Sequence, residues 1–179
     1  MTATSPTTSP ATSAARERRV EWRDPMATAR VGREMAGLDF LRAMKAGTLP
    51  PPPFLALLDA TIGEVEPGRV TLSIAPAEYH YNPYGMVHGG VVASMLDTVM
   101  SCAILTQLPA GRGNTTIDLT INFLRAVTLE TGPVTAEGTV IHLGRTTGLA
   151  QGRLVDETGR LCAIATTTCL LIDIPAASR

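Results

Sequence analysis

The chain has 179 residues, 45% of them apolar, which is enough for one domain with a true core and excludes a wholly disordered protein. Lys and Arg total 15 against 16 Asp and Glu, so the net charge of −1 lacks the basic footprint of a nucleic-acid binder. Cys102, Cys162 and Cys169 are odd in number and show no CxxC spacing. That argues against a zinc site or a disulfide framework, and it predicts a reducing, cytoplasmic setting with no metal.

Residues 1–25 open with Ser, Thr, Pro and Ala and are expected to form a disordered tail. No cluster of positive charge precedes an apolar run there, so the tail does not read as a secretory signal. A transit peptide is a weaker match, because Arg16 is the only basic residue among the first sixteen. Residues 26–53 are predicted to hold one helix, from about Met26 to Lys45, followed by a link made extended by Pro50, Pro51, Pro52 and Pro53. Residues 54–174 read as the main domain.

Strands are predicted over Leu57–Glu64 and, after a Pro67-Gly68 turn, over Arg69–Ile74, where Val70, Leu72 and Ile74 alternate with Thr71 and Ser73. An irregular segment from Pro76 to Val87 follows. The next stretch, Gly89 to Leu108, is apolar nearly all round, so a helix there must be buried. Its apolar part is almost long enough for a short membrane span. Asp97 in its middle would cost about 3 kcal/mol in lipid, so a core helix fits better and no membrane partner is expected. Strands are then expected over Thr115–Ala126, Val134–Leu143, Thr146–Val155 and Leu161–Ile172. In the first of these, Ile117, Leu119, Ile121 and Phe123 are predicted on one face, with Thr116, Asp118, Thr120 and Asn122 on the other. Asp156-Glu157-Thr158-Gly159 marks a hairpin. One buried helix with this set of strands makes an α+β fold in which an antiparallel sheet wraps the helix.

Two features of that helix point to chemistry. Gly89 and Gly90 lie at its entry, where backbone N–H groups lack intrahelical partners and the dipole is positive, so a substrate oxygen can approach closely. The bland alternative is a tight loop-to-helix turn. Asp97 is a carboxylate on an otherwise greasy cylinder, with Ser94, Thr98 and Ser101 at helical spacing around it. Either those hydroxyls satisfy a buried acid, or the acid faces a channel as a base or nucleophile.

The segment Asn82-Pro83-Tyr84-Gly85-Met86-Val87-His88-Gly89-Gly90, with Asp97 nine residues after His88, resembles the PaaI-like hotdog-fold acyl-CoA thioesterases. The resemblance extends over about residues 37 to 172. It implies a hotdog fold, an acyl-CoA substrate, hydrolysis without a cofactor, and a homodimer or a homotetramer built as a dimer of dimers. It further implies that Asp97 activates water or attacks the carbonyl, and that the Gly89 N–H binds the carbonyl oxygen, with Gly90 beside it. His88 would orient the loop, and Asn82 would position the thioester or its water. The residue-level alternative for Asn82 is an Asx turn before Pro83. Thr116 matches best the hydroxyl that supports the acid in some members, with Thr115 as its rival. Arg125 and Arg145 are either surface residues or contacts for coenzyme A phosphates, to which a guanidinium is suited. A non-catalytic acyl-CoA-binding regulator and a hotdog hydratase or dehydratase are the competing functions. The first needs no acid on the helix, and the second uses motifs other than His-Gly-Gly.

Distance adds an expectation of its own. Gly89 and Asp97 are eight residues apart, about 12 Å along a helix. A carbonyl group must lie close to both, so the site is expected to be shared by two copies of the chain.

Overall fold

The computed structural model describes residues 14–174. The first thirteen residues of the expected tail lie outside the described residues, and residues 14–24 form no helix or strand. Helix α1 (Pro25–Arg33) starts where Asp24 accepts the Met26 N–H at 2.9 Å and Pro25 supplies a preset φ in the first turn. Helix α2 (Gly37–Lys45) follows, and so the single predicted helix is broken at Glu34–Ala36. The cause is tertiary. The Gly37 N–H donates to Leu108 O at 3.0 Å, and a Cβ on Gly37 would fall 1.9 Å from Leu105 O. That approach is open only to glycine, and it fixes where α2 can begin.

The proline run is extended only to its last member. Pro52 caps and Pro53 opens helix α3 (Pro53–Leu58), which displaces the first strand from its predicted start at Leu57. Asp59 ends α3 in the left-handed region at φ 54°. Six strands follow in two groups: β1 (Thr61–Glu66) and β2 (Arg69–Ile74), then β3 (Arg112–Phe123), β4 (Val134–Leu143), β5 (Thr147–Asp156) and β6 (Leu161–Asp173). Between the groups runs helix α4 (Gly89–Leu105). The sheet order is β1-β2-β4-β5-β6-β3, with every neighbouring pair antiparallel. This is the predicted hotdog arrangement.

Met95, Leu96, Val99, Met100, Ala103 and Ile104 of α4 are all 0% exposed and form the centre of the core. Burying one of the larger of these side chains contributes about 1.5–3 kcal/mol. The helix lies so near the sheet that a Cβ on Gly138 of β4 would come within 2.4 Å of the Val99 carbonyl group. Strand β3 ends the sheet on one side. Its Ile117 and Phe123 remain 58% and 56% exposed, so this edge combines unpaired backbone with apolar surface.

The alternation predicted for β3 fails at one point. Thr116 pairs with Cys169 and Asp118 with Thr168, so Ile117 is an extra residue in a β-bulge. The bulge flips the facing of everything before it. Thr116 therefore shares the helix-facing side with Leu119 and Ile121, instead of standing opposite them.

Candidate active site

Helix α4 opens on a side-chain cap. His88 has extended backbone, and its Nδ1 accepts the Gly90 N–H at 2.8 Å. An accepting Nδ1 leaves the ring proton of the neutral imidazole on Nε2. The Val91 N–H goes to His88 O at 2.9 Å. Among the described residues the Gly89 N–H reaches no acceptor, so of the two glycine donors only this one is available to a ligand. A Cβ on Gly89 would lie 3.2 Å from the Phe123 ring, which stands beside the helix entry.

The loop before the cap is held from two directions. The Asn82 Oδ1 accepts the N–H groups of Tyr84 (2.9 Å) and Met86 (3.3 Å), which is the Asx turn expected before Pro83. Its oxygen is thus committed to the loop, and its amide NH₂ is the part left to meet a substrate. His80 was not singled out by the sequence reading, yet it anchors the segment. This buried ring accepts the Ala77 N–H at Nδ1 (3.1 Å) and donates from Nε2 to Leu58 O (3.0 Å). The His80 carbonyl in turn accepts the His88 N–H at 2.7 Å. Burial lowers the His80 pKa, and the charge of Arg18 works in the same direction against the Leu58 carbonyl and Asp59. The neutral ring that this bonding needs is therefore favoured. The only signal in the sequence was a histidine among tyrosines in an irregular segment.

Asp97 is half-buried on α4 and is not satisfied by its neighbours on the helix. Ser94 Oγ donates to Gly90 O (2.8 Å) and Thr98 Oγ1 to Ser94 O (2.7 Å), while Ser101 Oγ accepts from the Asn114 amide (3.1 Å). Asp97 instead receives one hydroxyl from across the interface with the sheet. Thr116 Oγ1 donates to its Oδ1 at 2.7 Å, a contact that the bulge at Ile117 makes possible. Thr115, the rival position, is exposed. Nearby, burial and then the charge of Asp97 push the Cys102 thiol up to about 12, so it is no nucleophile at neutral pH.

Two of the expected residues do not join this group within one chain. Arg125 lies two residues beyond β3 and donates to Leu161 O, whereas the Arg145 carbonyl accepts from Arg112 at the strand's start. Twelve residues of strand separate them by about 35 Å, so one chain does not present both to the same phosphates. Among the described residues no group of three His, Cys, Asp or Glu side chains is placed to hold a metal. No described helix is long and apolar enough to cross a membrane.

Residues 84–163, from the loop through α4 to the start of β6, match the model of the Thioesterase superfamily. An inferred esterase of Saccharolobus solfataricus is 33% identical over 108 residues, 60% of this chain and 75% of that protein. The chain belongs to the thioesterase superfamily. Further similar proteins are covered to differing extents. An inferred esterase of Haemophilus influenzae is 34% identical over 51% of this chain, which spans 65% of that relative's length. A 1,4-dihydroxy-2-naphthoyl-CoA hydrolase of Listeria monocytogenes is 28% identical over 62% of this chain and 92% of its own. Among solved structures, an inferred thioesterase of Ralstonia eutropha JMP134 related to phenylacetic acid degradation superposes with a TM-score of 0.66 at 28% identity, covering 73% of this chain and 98% of that one. A hypothetical thioesterase of Streptococcus pneumoniae TIGR4, solved with coenzyme A, gives 0.59 at 25% identity over 64% and 87%. The superfamily match contains His88, Gly89, Gly90, Asp97 and Thr116, and it begins two residues after Asn82.

Proposed function

We propose that this protein hydrolyses acyl-CoA thioesters to the free acid and coenzyme A. The observation that carries the reading is Asp97: a half-buried carboxylate on the core helix, held by the single hydroxyl of Thr116. One carboxylate oxygen is oriented by that bond, and the other is left to take a proton from water. As the water oxygen bonds to the thioester carbon, its proton passes to Asp97 and negative charge grows on the carbonyl oxygen. The Gly89 N–H at the positive end of α4 meets that charge. When the tetrahedral species collapses, the C–S bond breaks and the proton returns to the departing thiolate. Asn82 contributes its amide NH₂ to the substrate, and His88 acts through the Gly90 cap rather than as a proton carrier. Direct attack by Asp97 to give a mixed anhydride uses the same residues. Label in the Asp97 carboxyl after a single turnover in ¹⁸O-water marks the anhydride route. Water that opens the anhydride at the Asp97 carbonyl leaves its oxygen there, whereas direct attack of water on the thioester labels only the product acid.

Gly89 and Asp97 of one chain are too far apart to share a carbonyl, and the exposed edge of β3 supplies the remedy. Antiparallel pairing of two β3 edges about a two-fold axis near Leu119–Thr120 places the partner's Thr116 opposite Phe123, and Phe123 lies beside Gly89. The partner's Asp97 then approaches Gly89 and Asn82. The same pairing brings the partner's Arg145 towards Arg125, joining the two arginines that one chain keeps apart. Relatives named for a CoA substrate and solved with coenzyme A support this choice of ligand.

The test is release of coenzyme A from a panel of aromatic and medium-chain acyl-CoAs, followed with a thiol reagent. Turnover of at least one thioester is expected. Tight acyl-CoA binding without thiol release would make the protein a regulator, and water addition to an enoyl-CoA would make it a hydratase. For the shared site, mixing Asp97→Asn with Asn82→Ala under conditions of subunit exchange should restore about half of the sites in each heterodimer. Absence of recovery after proven exchange would reject it.

A further inference from the structure

The segment before α1 carries an arginine placed unlike a residue of a loose tail. Arg18 donates from Nη1 to Leu57 O and from Nη2 to Ala56 O, each at 2.8 Å. Leu57 O is one of the carbonyls that the C-terminal turn of α3 leaves without a helical partner, while Ala56 O also accepts the Asp59 N–H at 3.3 Å. The next carbonyl along, Leu58 O, is taken by the His80 ring. The Arg18 guanidinium also lies 4.1 Å above the centre of the Tyr79 ring and 3.9 Å from Asp59. Tyr79 closes the cluster by donating its hydroxyl to Asp59 (3.2 Å) and packing edge-on against His80 (4.4 Å). Arg16 pairs with Glu78 beside it. The Arg18 side chain is only 26% exposed, so these contacts are partly shielded from water.

From this cluster to the helix entry is one hydrogen bond. The His80 carbonyl receives the His88 N–H, and His88 caps Gly90 and presents the Gly89 N–H. We propose that Arg18 is a positioning residue: its fork on the end of α3 and its seat on Tyr79 lock the Tyr79–His80 turn, and that turn sets the His88–Gly89 entry of α4. Arg18 touches no reacting atom. It acts by denying the loop its alternatives, and loss of a fraction of an ångström in a donor's placement is costly in catalysis. A planar fork suits two adjacent carbonyls in a way that a single ammonium does not. On this proposal the segment expected to be a loose tail acts on the site through Arg18.

The idea rests on the thioesterase reading, so its test has one arm that does not need turnover. In the full chain, Arg18→Ala and Arg18→Lys are compared by amide hydrogen exchange and by steady-state kinetics. The His88 amide is expected to exchange about tenfold faster in Arg18→Ala, with β5 amides such as Ala150 and Leu154 unchanged. In the same variant kcat is expected to fall about tenfold with KM changed less than twofold, and Arg18→Lys to lie between it and the parent. Unchanged His88 exchange in both folded variants would overturn the proposal, as would faster exchange spread equally through β5. If Arg18→Ala does not fold, Arg18→Lys decides by the same readouts. A parent protein that cleaves no thioester overturns the functional reading alone, and the exchange arm still tests Arg18.

Discussion

Helix α4 has two faces, and they follow opposite rules. Towards β4 and β5, Leu96, Met100 and Ile104 are fully buried, and glycines on the strands let the helix lie close. Along the other face run Gly90, Ser94, Asp97 and Ser101, at helical spacing and only half-buried or exposed. The first face is where the folding free energy is concentrated. The second accepts a carboxylate in apolar surroundings and an unpaired N–H at its start, both of which lower stability unless a ligand or partner meets them. Packing and chemistry thus occupy one 17-residue element without sharing side chains.

Substitutions on the two faces should therefore separate stability from turnover. Leu96→Ala opens a cavity in the buried face and is expected to lower the unfolding free energy by about 3 kcal/mol in denaturant melts. The kcat of the molecules that remain folded should change little. A large kcat loss at full stability would break the division. Thr116→Val removes the hydroxyl from Asp97 while keeping the shape. It should lower kcat about tenfold, or about 1.4 kcal/mol, with a much smaller effect on the melt. Ser94→Ala should do least. Its hydroxyl bonds to Gly90 O and not to Asp97, so kcat should stay within about twofold and stability within about 0.5 kcal/mol. A strong effect there would mean that the polar face works as one network.

The buried face was easy to read in the sequence. Seventeen residues with one charge can form little besides a core helix, and β2 and β4 have the bounds expected of them. The acid and the His-Gly-Gly entry were likewise legible as a pattern, because spacing along one element carries them. What stayed hidden depends on contacts between elements. Gly37 meets Leu105, which breaks the first helix where no local signal stands out. The bulge at Ile117 arises from pairing with β6, so strict alternation placed Thr116 on the wrong face even though its partnership with Asp97 was expected. His80 and Arg18 act through the backbone carbonyls of α3, and carbonyl acceptors leave no mark in a sequence.

Hydrolysis by the Asp97 carboxylate is tested most directly by Asp97→Asn. The variant keeps size and hydrogen-bonding capacity but cannot take a proton from water. With the best acyl-CoA from the panel, kcat is expected to fall by at least about 10²-fold, while the thermal midpoint holds or rises. Near-parental turnover by a folded Asp97→Asn protein would contradict the account.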